Sequence, residues 1–135
     1  MRVNILAVIV TAVLAYAFGF LWYNVIFREA YAMDLARTKE WMDAGPSALV
    51  ASILQLVANI VAGYVLGWFI DRTGHGSAVG GAKIGFLAWL GFVASVIGPM
   101  YAFQAYSLRF FAIVAGGWLL TLLGMGLILG AWRSK

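Results

Sequence analysis

The sequence predicts an all-α, polytopic membrane protein with four transmembrane helices and a short amphipathic interfacial helix after the first. Three observations lead there. Four long apolar runs fill most of the 135 residues. Hydrophobic residues make up 64% of the chain and charged ones only 10%, against about 25% charged in a soluble domain. The longest polar stretch, Arg28 to Gly45, falls far short of the roughly 50 residues that a separate soluble domain needs for its own core. The chain therefore reads as a single transmembrane domain over residues 1–135, with the lipid bilayer as its first partner. Any activity is expected within the membrane or at its edge.

The first apolar run covers about residues 4–27, enough for the roughly 20 residues that cross ~30 Å of hydrocarbon. Arg2 ahead of it and Ala15-Tyr16-Ala17 inside it also fit a secretory signal with a small-residue cleavage site. The run continues through Leu21, Trp22 and Phe27, which favours a retained helix. In the following segment, residues 28–45, Tyr31, Leu35, Thr38 and Met42 recur at helical spacing, with Asp34, Arg37 and Glu40 mostly on other faces. Trp41 and Tyr31 suit headgroup depth, so a helix lying on the membrane surface and a solvated connector packed on the bundle are both open. Gly45-Pro46 ends this segment and starts the second run, about 46–70. Asp71 to Gly76, with two glycines, makes a short turn. The third run spans about 77–99 and the fourth about 109–132. Between them Tyr101, Phe103 and Tyr106 suit the interface, level with Trp22, Tyr23 and Trp41, while Trp68 and Trp132 mark the opposite level.

Four spans put both termini on one side. That side collects Arg2, Arg72, Lys83, Arg133 and Lys135, and the other holds Arg28, Arg37, Lys39 and Arg109. The excess places the N and C termini of a multi-pass cell-membrane protein in the cytoplasm, and its smallness leaves insertion in both orientations open.

The two halves also look alike. GFLWY at Gly19–Tyr23 parallels GFLAW at Gly85–Trp89, and GYVLG at Gly63–Gly67 parallels GLILG at Gly126–Gly130. A duplicated hairpin, 1–70 and 77–135, and chance likeness among a few apolar letters are the two readings.

Small residues four apart occur in every span: Ala15 and Gly19, Gly63 and Gly67, Gly81 and Gly85, Gly126 and Gly130. Such pairs let helix backbones approach closely. They exceed what one hairpin uses, which points to a homo-oligomer. Tyr16, Gln55, Asn59, Trp89, Trp118 and Thr121 lie about nine to thirteen residues into their runs, near the midplane at 1.5 Å rise per residue. Polar groups there are costly unless they face inward and bond. They form either a hydrogen-bonded network joining the helices or an aromatic-lined pocket.

No Asp or Glu falls inside a run, and Lys83 sits close enough to its helix start to reach the headgroups. The chain has no cysteine and one histidine, which removes thiolate and multi-histidine metal sites. Asp71 with His75 lacks a third partner. No catalytic residues, metal, cofactor or nucleic-acid partner are expected. These features together suggest a non-enzymatic structural or partner-binding membrane component. The alternative is a small homo-oligomeric transporter or channel for a small molecule or ion.

GFLWYNVIF at Gly19–Phe27, the charged segment after it, KIGFLAWLGFV at Lys83–Val93 and AGGWLLTLLGMGLILGAW at Ala115–Trp132 together resemble the domain of unknown function 1761 family of small four-helix membrane proteins. That family usually carries Ser-Pro soon after the first Trp-Tyr, where this chain has Asn24-Val25. The resemblance implies the four-helix fold, and no catalytic residues come with it.

Overall fold

The computed structural model describes residues 3–132, all-helical and without a strand among them. Arg2, Arg133 and Lys135, three of the charges used for orientation, lie outside the described residues. The elements are α1 (Ile5–Leu21), a π-helical segment (Trp22–Ile26), α2 (Arg28–Leu35), α3 (Lys39–Ala44), α4 (Ala48–Arg72), α5 (Ala78–Ala88), a second π-helical segment (Trp89–Ala94), α6 (Ser95–Phe103) and α7 (Leu108–Ala131). Joined through the π segments, they give four helices long and apolar enough to cross a membrane: Ile5–Ile26, Ala48–Arg72, Ala78–Phe103 and Leu108–Ala131. Each of these starts on a polar cap. The side chains of Asn4, Ser47, Ser77 and Ser107 accept from the backbone N–H three residues on, satisfying donors that the first helical turn leaves unpaired.

Two boundaries differ from the sequence expectation. The third run continues to Phe103, past the expected end at 99, and carries Pro99 inside α6. Proline removes one backbone donor and normally breaks a helix, but helices in apolar surroundings tolerate it where neighbours satisfy the freed carbonyl. Residues 28–45 form two helices in place of one. Ala36 adopts the left-handed conformation with φ 54° and ends α2, and the Thr38 hydroxyl accepts from the Trp41 N–H at 3.1 Å to begin α3. Thr38, on the apolar face of the expected single helix, is thus a cap.

α2 is docked on the start of α7. Arg109 donates from Nε and Nη2 to the two carboxylate oxygens of Asp34, both at 2.7 Å. This hydrogen bond holds the Asp34 carboxyl below its ordinary range. Tyr31 stacks on Phe110 and Phe110 on Tyr106, with ring centroids 5.7 and 4.2 Å apart. Burial, and then the neighbouring Tyr106, push the Tyr31 hydroxyl above its ordinary range. α3 by contrast is exposed along its whole length, with Arg37 lying over the Trp41 ring at 4.6 Å.

The buried core gathers Ala7 and Val8 of α1, Leu66 and Ile70 of α4, and Leu122, Met125 and Leu129 of α7. It fills the end of the bundle near the two termini. α5 meets α7 there backbone to backbone. A Cβ added at Gly81 would overlap the Gly126 carbonyl, one at Gly85 the Leu122 carbonyl, and one at Gly130 the Ser77 carbonyl. Gly63 faces Met125 and Val8, Gly67 faces Val3, and Ala15 packs against the core. Gly19 departs from the expected packing role, because nothing lies within 4 Å of a Cβ built on it.

Candidate functional site

Two indoles tie the helices to α7. Both π segments begin at a tryptophan, Trp22 and Trp89, at nearly corresponding places in the two halves. Trp22 Nε1 donates to the Ile113 carbonyl and Trp89 Nε1 to the Ala115 carbonyl, each at 2.8 Å. Both carbonyls belong to α7. Gly117 makes the first contact fit, since a Cβ there would stand 2.9 Å from Trp22 Nε1. A π segment widens one turn and redirects the side chains that follow it, and such segments are frequent at functional sites.

Between α1, α4 and α7 lies a cavity of about 410 Å³. Of the six polar and aromatic residues picked out from depth, Tyr16, Gln55, Asn59, Trp118 and Thr121 line it. Trp89 does not; its indole is engaged with Ala115, and its ring packs beside the core. Asn59 is 2% exposed and engaged at both polar atoms: its Oδ1 accepts from Gln55 Nε2 at 2.8 Å, and its Nδ2 donates to the Ala12 carbonyl at 3.3 Å. That second bond ties α4 to α1. The Thr121 hydroxyl turns back on its own helix and donates to the Gly117 carbonyl at 2.8 Å, so it joins no other helix.

A second hollow of about 560 Å³ shares Tyr23, Asn24, Gln55 and Trp118 with the first. It extends past Tyr101 and Gln104 of the α6 end to Tyr31, Tyr106 and Phe110. The two adjoin at these shared residues, in the half of the bundle that carries α2, and together are called the chamber. No Asp, Glu, Lys, Arg or His lines either part. Tyr16, Tyr23, Asn24 and Trp118 make no side-chain hydrogen bond among the described residues, so their polar groups are available to a bound molecule.

Depth along each run picked out wall residues of α1, α4 and α7 and missed Trp22, Tyr23, Asn24 and Ser52, all of which line the chamber. The available signal was the Gly116-Gly117 pair, a place on α7 where a large side chain from another helix can reach a backbone carbonyl. Lys83 lies elsewhere, exposed, its stem along an apolar hollow between α5 and α7. No group of three or more His, Cys, Asp or Glu that could hold a metal ion occurs among the described residues.

A family model described as "Protein of unknown function (DUF1761)" matches residues 6–130, nearly the whole chain. No curated protein and no solved structure matches it.

Proposed function

Because the chain belongs to the DUF1761 family, whose description assigns no activity, we propose a function from the geometry: a non-enzymatic, multi-pass membrane protein that binds a small molecule in its chamber. The carrying observation is the chamber itself, hollows of about 410 Å³ and about 560 Å³ side by side, each within the range of ligand sites and lined by rings with a few polar groups among them. Four apolar helices support the membrane setting. So does the outward surface, where Leu54, Val57 and Phe92 stand 60%, 53% and 72% exposed, because continuous apolar surface of this kind needs a cover. We place the termini in the cytoplasm, as the Lys and Arg distribution suggests.

Self-association is part of the proposal, with Gly91 of the second π segment, exposed and with nothing within 4 Å of an added Cβ, offering a point of close approach. A through-channel has less support, since Val8, Leu66 and Leu129 fill the bundle beyond Asn59. A purely structural role would leave the chamber without use.

The absence of cysteine makes single-cysteine variants clean reporters. In sealed right-side-out vesicles a membrane-impermeant maleimide should label Asp43→Cys and spare Gly76→Cys. A small permeant thiol reagent should modify Ser52→Cys in the chamber and leave the outward Val57→Cys untouched. Equal labelling of Asp43→Cys and Gly76→Cys would replace the single orientation by a dual one. An inert Ser52→Cys would remove the binding chamber.

A further inference from the structure

The chemistry of the chamber wall and the position of its opening narrow what can occupy it. The wall holds hydroxyls, amides and an indole N–H but no ionic side chain. A charged head group placed there would leave water without meeting a counter-charge, a cost far above that of a neutral hydrogen-bonding group. The ionic groups beside the lining residues Tyr106 and Phe110 are already engaged. Asp34 and Arg109 pair with each other, and Arg37 donates to the Tyr106 hydroxyl at 2.9 Å while covering Trp41.

The opening is lateral. α4 and α6 flank the chamber without extensive packing between them, and Gln55, exposed, lines the second hollow with Ile97 and Met100 of α6, its amide nitrogen turned to Asn59. Beside that opening, Ala51 and Ala58 on the Gln55 side of α4 and Val96 and Met100 of α6 are exposed apolar side chains. A molecule entering here passes from an apolar surface to a polar interior.

We infer that the chamber takes an uncharged amphiphile, with its hydrogen-bonding head among Tyr16, Tyr23, Asn24 and Trp118 and its apolar tail leaving between α4 and α6 into the bilayer. This rests on the small-molecule binding proposed above and adds the ligand class and its route. The Trp118 N–H and the tyrosine hydroxyls supply donors, and the Asn24 and Gln55 carbonyls supply acceptors. Head groups rich in hydroxyl or carbonyl oxygen, such as glycerol esters, match both.

The test uses the full chain in detergent micelles and native mass spectrometry. Three probes of equal chain length compete: a monoacylglycerol, a lysophosphatidylglycerol and an alkyltrimethylammonium salt. The expected result is retention of the monoacylglycerol at least ten-fold over either charged probe. Gly19→Leu should abolish it by filling the chamber from a position where a Cβ meets nothing within 4 Å. Ser52→Phe fills the same space from α4, and either variant suffices if the other does not fold. Trp118→Phe keeps the ring, loses the donor and should weaken retention about five-fold. If a charged probe is retained as well as the neutral one and the filling variants remove it, the ligand class is wrong while binding in the chamber stands. If no probe is retained, or the filling variants leave retention unchanged, both this inference and the binding reading fall.

Discussion

Gly81→Ala should be among the most damaging single-methyl additions in the chain. The added Cβ would overlap the Gly126 carbonyl and stand 2.8 Å from the Gly126 carbonyl carbon and 2.9 Å from the Gly130 Cα. Carbon atoms settle at about 3.5 to 4.0 Å, so α5 and α7 must separate by about 1 Å, and gaps of that size forfeit a quarter to a half of each dispersion contact along the seam. Overpacking commonly costs about 1 to 3 kcal/mol. The upper end applies here, because the obstacle is backbone and has no rotamer to change. Gly124→Ala on α7 is the control: nothing lies within 4 Å of its added methyl, so better helix propensity should make it neutral or stabilising by up to about 1 kcal/mol. Unfolding in mixed micelles of increasing dodecyl sulfate content, followed by far-ultraviolet circular dichroism, should separate the two variants by about 3 kcal/mol. Values within about 0.5 kcal/mol of each other would refute the backbone contact between α5 and α7.

Asn59→Leu deletes both the Gln55 and the Ala12 hydrogen bonds and should cost about 2 kcal/mol by the same unfolding measurement; an unchanged midpoint would mean that α4 is not tied to α1 there. Trp22→Phe and Trp89→Phe each lose one indole bond to α7, and each should lower stability by about 1 kcal/mol while leaving the helix content constant. Ala36→Gly relieves a left-handed alanine and should slow amide hydrogen exchange in α2, whereas faster exchange would contradict the assigned conformation. The Asp34 carboxyl, held down by Arg109, should titrate below 3.8. Its tether of α2 is therefore complete above that value and is lost as pH falls through the lower native one. A carbon-13 titration of the Asp34 carboxyl follows this directly, and Arg109→Gln should raise the midpoint.

The four long helices were legible because run length and the near absence of charge are bulk properties of a segment. Several glycine contacts were legible as spacing, although spacing did not tell the backbone seam of Gly81 and Gly126 from the open position of Gly19. The π segments left no trace in composition: Trp22–Ile26 and Trp89–Ala94 read as ordinary helix, since a shifted hydrogen-bond register changes no residue type. The break at Ala36 was hidden for the opposite reason. Alanine favours helix, and its left-handed conformation is imposed by the docking of α2 and the cap at Thr38. Trp22, Tyr23 and Asn24 of the chamber wall were missed because they lie near a helix end, where depth suggested an interfacial belt.

Ile113 and Ala115, the two carbonyls that take indole bonds, are two residues apart on α7, which at 3.6 residues per turn sets them on nearly opposite sides of that helix. α7 is therefore gripped like an axle between two bearings, one from each half of the chain. Turning it about its axis or sliding it along would stretch both bonds together, and the glycine seam with α5 resists the same displacements. For the proposed guest, the outer part of α4 and α6 are the elements expected to move. A spin label there, at Leu54 for example, should show the mobility that one at Leu120 lacks.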